Sequence, residues 1–343
     1  MKKNTPKISP KAATPSAKTK LSYATSTAYL RDAFVPFKDA QVNIASSPFL
    51  YGLTIYTVFN LIWNDKTNTL NAFRLKDHYK RLALSAKVMD FNNFTKEWSY
   101  ERFETMVCEL VAKNNITEDA LVRVSVFVDA LLAGTKIHDL PNAVCAYVYP
   151  MGEIVPRSGI NVCVSSWRRN ADNAIPSRAK VNGAYANVSL MKNEALLNGY
   201  DDAIALNDAG YVTEGTVANL FLVRGSELIT PAGNFDILEG ITRDTIIRIA
   251  RNLGITVTER SISRSELYIA EEAFISGSSA RITPVLSIDR RVIGPVEVSA
   301  GTTAGKTPPN TGQIGPITKR LMSEYEALQK GIIGKYKSWL TKL

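Results

Sequence analysis

Histidine is scarce: only His78 and His138 occur among 343 residues, far apart in sequence. A histidine-built metal site or a Ser-His-Asp triad has little to stand on, and no metal is expected. Cysteine is scarce too. Cys108, Cys145 and Cys163 are widely spaced, odd in number and form no CxxC pair. They read as reduced packing residues of a cytosolic-type compartment, not as a disulfide framework. No apolar run approaches the roughly 18 residues of a membrane span, so no membrane partner is expected. No repeat with a period of about 20–50 residues is visible.

Acid is absent from one stretch. Residues 1–20 carry Lys2, Lys3, Lys7, Lys11, Lys18 and Lys20 and neither Asp nor Glu. The formal charge of +9 therefore belongs mostly to this tail: without those six lysines, 35 basic residues face 32 acidic ones, near +3. The folded body needs no nucleic acid to explain its charge. The tail has no apolar secretory block and too little to bury, so disorder is expected over 1–20. The missing acids leave an organellar address open, although arginine is missing too; a cytoplasmic protein is the expectation.

What is present is ordinary for a globular chain, with 45% hydrophobic and 21% charged residues. The length favours two domains. Leu53–Trp63 is β-branched and aromatic, as strands are. Leu75–Met89 places Leu75, Tyr79, Leu82 and Ala86 at helical spacing. Val122–Val128 and Ala143–Tyr149 read as further strands. Pro150–Gly159, with two prolines and two glycines, marks a connection between a small domain over 21–150 and a larger one over 160–343, joined by 151–159. In the second half a strand at Ile160–Ser165 precedes a polar loop at Arg168–Arg178 and a helix at Ala184–Leu197. Asp202–Leu206 pairs with Tyr211–Thr213, and Asn219–Val223 with Glu227–Thr230, across turn-forming residues. Thr242–Leu253 is an amphipathic helix that Gly254 caps. The composite is mixed α/β.

Three segments in order carry chemistry: Glu214–Phe221, Leu228–Thr230 and Leu238–Arg243. Each alone is commonplace: an acid leading into a strand, a Gly-Ile-Thr before a helix. Together, with Tyr51-Gly52, Phe73-Arg74, Val164–Trp167, Asn173–Pro176, Ala179–Tyr185, Asn198–Tyr200, Ser276–Pro284 and Gly315–Arg320, the chain resembles the class IV (fold type IV) pyridoxal-phosphate enzymes. Within them it looks most like branched-chain amino acid aminotransferases. The resemblance runs from about residue 21 to about residue 322, denser in the second half.

That resemblance implies a two-domain α/β fold, a small α/β domain and a larger one with a pseudo-barrel β core. It implies pyridoxal 5'-phosphate as cofactor and ping-pong transfer of an amino group from leucine, isoleucine or valine to 2-oxoglutarate. A homodimer or higher homo-oligomer follows, because family sites sit near subunit interfaces. Lys180 would bind the cofactor covalently and shuttle the α-proton, which requires a neutral amine. Glu214 would face the pyridine nitrogen and keep it protonated, and Tyr185 would meet the ring hydroxyl. Gly240, Ile241 and Thr242 would offer the phosphate a helix N-terminus. Gly277, Ser278 and Ser279 would add a second phosphate turn, and Arg74 a guanidinium fork. Arg123 would meet the side-chain carboxylate of 2-oxoglutarate; Tyr51, Tyr56 and Ala280 would line the substrate pocket, where apolar walls favour branched aliphatic side chains.

The match departs in places. Where these enzymes usually read Phe-Glu-Gly-Ile-Arg, this chain reads Tyr56-Thr-Val-Phe-Asn60. Leu121 replaces a common tyrosine, Arg281 a common acid and Val217 a common glycine. Two alternatives stay open here. One is another class IV enzyme: a D-amino acid or amine transaminase, or an aminodeoxychorismate lyase. The other is a non-catalytic basic-tailed binding protein.

Overall fold

The computed structural model describes residues 26–152, 156–294 and 312–343. The basic tail over 1–20 and part of the 151–159 connection lie outside the described residues. The chain opens with strands β1 (Thr27–Leu30) and β2 (Ala33–Pro36), a short helix α1 (Ser47–Tyr51), then β3 (Thr54–Asn64) and β4 (Thr69–Phe73). Helices α2 (Leu75–Val88), α3 (Asn92–Glu97) and α4 (Tyr100–Asn114) follow, then β5 (Ala120–Val128) and β6 (Asn142–Pro150).

β3 lies between β4 and β5, antiparallel to both. Its first nine residues are all buried, because each face has a cover. Ile55, Phe59 and Leu61 join a core with Leu75, Leu82, Phe103 and Leu110 of the helices. Tyr56 and Val58 point the other way, with Leu121 of β5 and Tyr185. This two-residue alternation separates the structural face from the face that will matter for chemistry.

The second half contains β7 (Ile160–Arg168), α5 (Tyr185–Leu197), β8 (Asp202–Leu206), β9 (Val212–Gly215), β10 (Asn219–Arg224), β11 (Glu227–Thr230), α6 (Ile241–Asn252), β12 (Val257–Glu259), β13 (Glu272–Gly277), β14 (Arg281–Ile288), β15 (Arg291–Val292), α7 (Pro316–Gln329) and β16 (Leu340–Lys342). β7 and β8 are parallel, so a crossover must join them, and α5 supplies it. β10, β13, β14, β7, β8 and β9 follow one another by pairing, and β9 returns to β10 through Glu214 and Asn219. Six strands thus close on themselves, the barrel core that the resemblance implies. Leu220 and Leu222 pack with Ile160, Val162 and Ile275. Their neighbours Phe221 and Val223 pack with Ile246 of α6 and Tyr325 of α7. Inward and outward residues alternate as ring closure requires.

The expected elements are present, with ends shifted by one to three residues. The expected Ile160–Ser165 strand runs on to Arg168, since Leu206 pairs with Arg168 beyond a bulge. β16 returns to the first half and pairs with β4. Cys108, Cys145 and Cys163 are free thiols. Among the described residues, no helix is long and apolar enough to cross a membrane.

Candidate active site

A cavity of about 260 Å³ opens between the cavity face of β3 and the mouth of the barrel. Lys180 reaches into it. Its backbone is pinned twice by the first half: Tyr56 N donates to Lys180 O at 3.0 Å, and Lys180 N donates to Ser85 Oγ of α2 at 3.2 Å. The flanking Ala179 and Val181 belong to the core under β3. Lys180 Nζ donates to Tyr185 Oη at 3.1 Å and lies 5.0 Å from the centre of the Tyr56 ring.

Electrostatics set the state of this pair. Burial pulls the Lys180 pKa below the ordinary lysine value; Arg81 adds to this, and Tyr185 and Glu214 oppose it. Burial alone would raise the Tyr185 phenol. The Lys180 charge and hydrogen bonds from Tyr56 and Lys180 outweigh that, so its pKa is lowered. Tyr56 moves the other way, raised by burial and then by Tyr185. The result is an amine and a phenol that each release a proton more readily than usual, an arrangement suited to passing protons.

Glu214 is 4% exposed and fully partnered. Oε1 lies 2.7 Å from Arg169 Nη2. Oε2 accepts from Asn219 Nδ2 at 2.8 Å and from Leu238 N at 3.2 Å. Burial pushes its pKa up, and the Arg169 guanidinium, then Lys180, pull against that. Neither Arg169 nor Asn219 was singled out from sequence. Asn219 lies inside the Glu214–Phe221 motif; Arg169 lies in the polar loop expected at Arg168–Arg178.

Gly240 caps the N-terminus of α6 with extended backbone and no side-chain cap, which leaves first-turn N–H groups free. A Cβ on Gly240 would fall 2.1 Å from Asn219 Oδ1, so only glycine fits. Thr242 is buried beside it. The Gly277–Ala280 turn between β13 and β14 also lines the cavity. It is steadied by Asn60 Nδ2, which donates to Ser278 O at 3.0 Å. Ser276 Oγ is buried with no partner among the described residues. Helix N-terminus, serine turn and this orphaned hydroxyl compose a cradle for an anion.

Arg123 lies on the cavity wall, its guanidinium 3.6 Å from the centre of the Tyr56 ring. Its Nη2 donates to Asn182 Oδ1 at 2.9 Å and its Nε to Ser125 Oγ at 3.3 Å. Among the described residues it has no carboxylate partner. Asn182 is held close by a tight approach of two glycines: Gly52, at φ +67, leaves no room for a Cβ, which would sit 2.8 Å from Gly183 Cα.

Lys180, Tyr185, Glu214, Gly240, Ile241, Thr242, Gly277, Ser278, Ser279, Tyr56, Arg123 and Ala280 therefore border one space. Two expected residues do not. Tyr51 is 45% exposed on α1. Arg74 sits behind the first turn of α6. Its Nη1 lies 2.6 Å from Asp244 and donates to Ile241 O at 3.2 Å, and its Nε lies 2.7 Å from Asp77. It lines a separate shallow cleft. The buried donor set fits pyridoxal phosphate: an amine of lowered basicity, a phenol, a carboxylate and an anion cradle around one cavity.

Residues 56–288 match the family model described as amino-transferase class IV. The chain is 39% identical over 324 residues to the probable branched-chain-amino-acid aminotransferase of Aquifex aeolicus, covering 93% of this chain and 97% of that one. Among solved structures, the branched-chain aminotransferase of the archaeon Thermoproteus uzoniensis with norvaline superposes with a TM-score of 0.83 at 34% identity, covering 93% of this chain and 99% of that one. A second, the T.th. branched-chain amino acid aminotransferase complexed with N-(5'-phosphopyridoxyl)-L-glutamate, gives 0.79 at 32% identity, with 92% and 98% covered.

Proposed function

The chain belongs to the class IV aminotransferase family, and we propose that it moves an amino group between a branched-chain L-amino acid and 2-oxoglutarate, with Lys180 as the reacting amine. What carries this reading is Lys180 Nζ, 3.1 Å from Tyr185 Oη, in one cavity with Glu214 and the N-terminus of α6. Pyridoxal 5'-phosphate, when bound, supplies an aldehyde for that amine and a ring that stores the electrons of the broken α-C–H bond.

The chain's own groups do the rest. Gly240–Thr242 and Ser276–Ser279 bind the phosphate by N–H and hydroxyl donors. Arg74 steadies the helix turn from behind. Glu214, its burial opposed by Arg169 and its carboxylate engaged by two hydrogen bonds, would hold a proton on the ring nitrogen. Tyr185 bonds the ring hydroxyl. Lys180, its basicity lowered by desolvation, would take the α-proton and return it in the second half-reaction. Tyr56 and Val58 give the aliphatic side chain an apolar wall. Arg123 offers its guanidinium to the side-chain carboxylate of glutamate or 2-oxoglutarate. Norvaline and glutamate in the two superposed relatives are of the same two kinds.

A second copy of this chain is the proposed partner, in a cytoplasmic setting. Ile44 (73% exposed), Phe49, Leu50 and Leu132 (83%) stand out to solvent. They share one face, because Ser46 bridges Leu131 and Leu132 N donates to Ala45 O at 3.2 Å. Such an apolar patch needs a cover, and Tyr51 belongs to it rather than to its own cavity.

The test is the visible spectrum of the full chain loaded with cofactor, before and after leucine, with 2-oxoglutarate as acceptor. The expected result is a shift on leucine and glutamate formation, both abolished in Lys180→Ala, with borohydride trapping the pyridoxyl group on Lys180. Turnover of D-alanine with none of leucine would overturn the substrate assignment; a wild-type rate in Lys180→Ala would overturn the mechanism.

A further inference from the structure

Helix α2 carries a second, polar stripe, of which Arg81 borders the cavity. Arg74, at its N-cap, leads into His78, Arg81 and Ser85 at intervals of four, three and four residues, spacing that stacks side chains on one helix face. Three of the four are answered. Arg74 has Asp77 and Asp244. His78 Nδ1 meets Thr57 Oγ1 at 2.7 Å. Ser85 Oγ donates to Arg81 O at 2.9 Å and accepts from Lys180 N.

Arg81 is not answered. Its Nη2 reaches Thr57 Oγ1 only at 3.4 Å, and its buried Nε has no partner among the described residues. No described carboxylate pairs with it, yet its side chain borders the Lys180 cavity. Burial brings its pKa down to about 10, so it remains a cation at neutral pH. The neighbours cannot compensate. A guanidinium only donates, so Thr57 Oγ1 accepts from Arg81 and brings it no negative charge. His78, whose pKa burial holds well below the ordinary value, brings it none either. Position 57 is also where the run this segment resembles carries a glutamate.

We propose that Arg81 is a positioning residue for Lys180: its unanswered positive charge, on α2 and bordering the same cavity as the amine, adds to burial in favouring the uncharged, nucleophilic form of Lys180, and threonine at 57 is what leaves that charge unanswered. This rests on reading Lys180 as the reacting amine. The other groups facing that amine have been placed. Tyr185 of the α5 N-terminus and Glu214 of β9 favour its charged form. Glu214 is already engaged by Arg169 at 2.7 Å, and Arg123 of β5 is stacked on Tyr56 of β3. Arg81 is thus the opposing charge with no counter-ion of its own, and a like charge in a poorly solvated site acts over a longer range than in water.

The test needs no turnover. The full chain, freed of cofactor, is labelled with trace acetic anhydride across a pH series, and the label on Lys180 is read by peptide mapping. Arg81→Met and Thr57→Glu should each move the Lys180 midpoint upward by about one pH unit or more, the effect of deleting or pairing a nearby like charge. Arg81→Lys, which keeps the charge, should leave it within about 0.3 unit. Thermal unfolding of Arg81→Met should come at the same or a higher temperature, since replacing a buried unpaired charge by an apolar chain does not destabilise. In the loaded protein the pH midpoint of cofactor absorbance should rise in the same two variants. An unchanged midpoint in both Arg81→Met and Thr57→Glu would overturn the proposal; should Arg81→Met not fold, Thr57→Glu alone decides. A pyridoxyl adduct trapped elsewhere than on Lys180 would instead sink the proposed function, while the labelling would still report how Arg81 acts on Lys180.

Discussion

Glu214 and Asn219 face each other across the seam that closes the six-stranded barrel, and their side chains are joined by a 2.8 Å hydrogen bond. The same Asn219 amide also donates to Leu238 O at 2.8 Å, and Leu238 N donates back to Glu214. Barrel closure, the orientation of the carboxylate and the approach to α6 are therefore one structure. Asn219→Ala would leave two buried acceptors short of a donor. A loss of about 1–3 kcal/mol is expected, seen as earlier thermal unfolding together with faster loss of cofactor on dialysis. Unchanged values for both would separate the seam from the site.

Gly240→Ala acts on the same place by overpacking. Its methyl group would meet Asn219 Oδ1 at 2.1 Å, and either the asparagine or the helix start must move, at a cost of about 1–3 kcal/mol. Because the obstacle is one side chain, the two substitutions should not add. The Gly240→Ala, Asn219→Ala double variant is expected to retain cofactor as well as Asn219→Ala alone. Additive losses would mean that the clash is with the backbone.

Arg123→Met removes a cation from the cavity wall and leaves the Tyr56 and Val58 surface in place. KM for 2-oxoglutarate should rise roughly 10- to 100-fold, the worth of one hydrogen bond to a charged group. The spectral half-reaction with leucine should change far less. Equal losses for both substrates would deny Arg123 its part in telling an acidic side chain from an aliphatic one.

His78 gives a stability test. Its pKa is depressed in the folded chain, by burial first and then by the charges of Arg81, Arg74 and Lys180. Below its unfolded value of 6.5 the unfolded chain binds a proton that the folded chain refuses. Its contribution is thus complete above that pH and is lost as pH falls, by up to about 1.4 kcal/mol per unit. His78→Asn, which keeps an acceptor for Thr57, should flatten the urea-unfolding profile between about pH 6.5 and 5. A profile with the wild-type slope would show that some other group governs acid sensitivity there.

Much of this was legible in the sequence, and the exceptions have physical reasons. The run of β3 declared itself by its β-branched and aromatic residues, and the stripe of Leu75, Tyr79, Leu82 and Ala86 by its helical period. Lys180, Tyr185 and Glu214 do meet in one cavity. Arg74 does reach the start of α6, but from its far side, because sequence spacing carries no information on which side of a turn a guanidinium lies. The barrel seam was not legible either, since pairing Glu214 with Asn219 depends on non-local partners, β7 with β14 among them. Arg169 gave no local signal. Arg81 carries one: a polar stripe interleaved with the apolar one on α2 marks a helix covered on two sides.

The last turn of the chain braces the anion cradle at long range. Trp339 O accepts from Arg74 N at 2.6 Å, its indole lies 4.6 Å from the Arg74 guanidinium, and Leu340–Lys342 extends the edge of β4. For anyone engineering this protein, residues 339–342 are therefore a poor place for an inserted loop or a reversed charge, which would tug on the residue that backs the α6 turn.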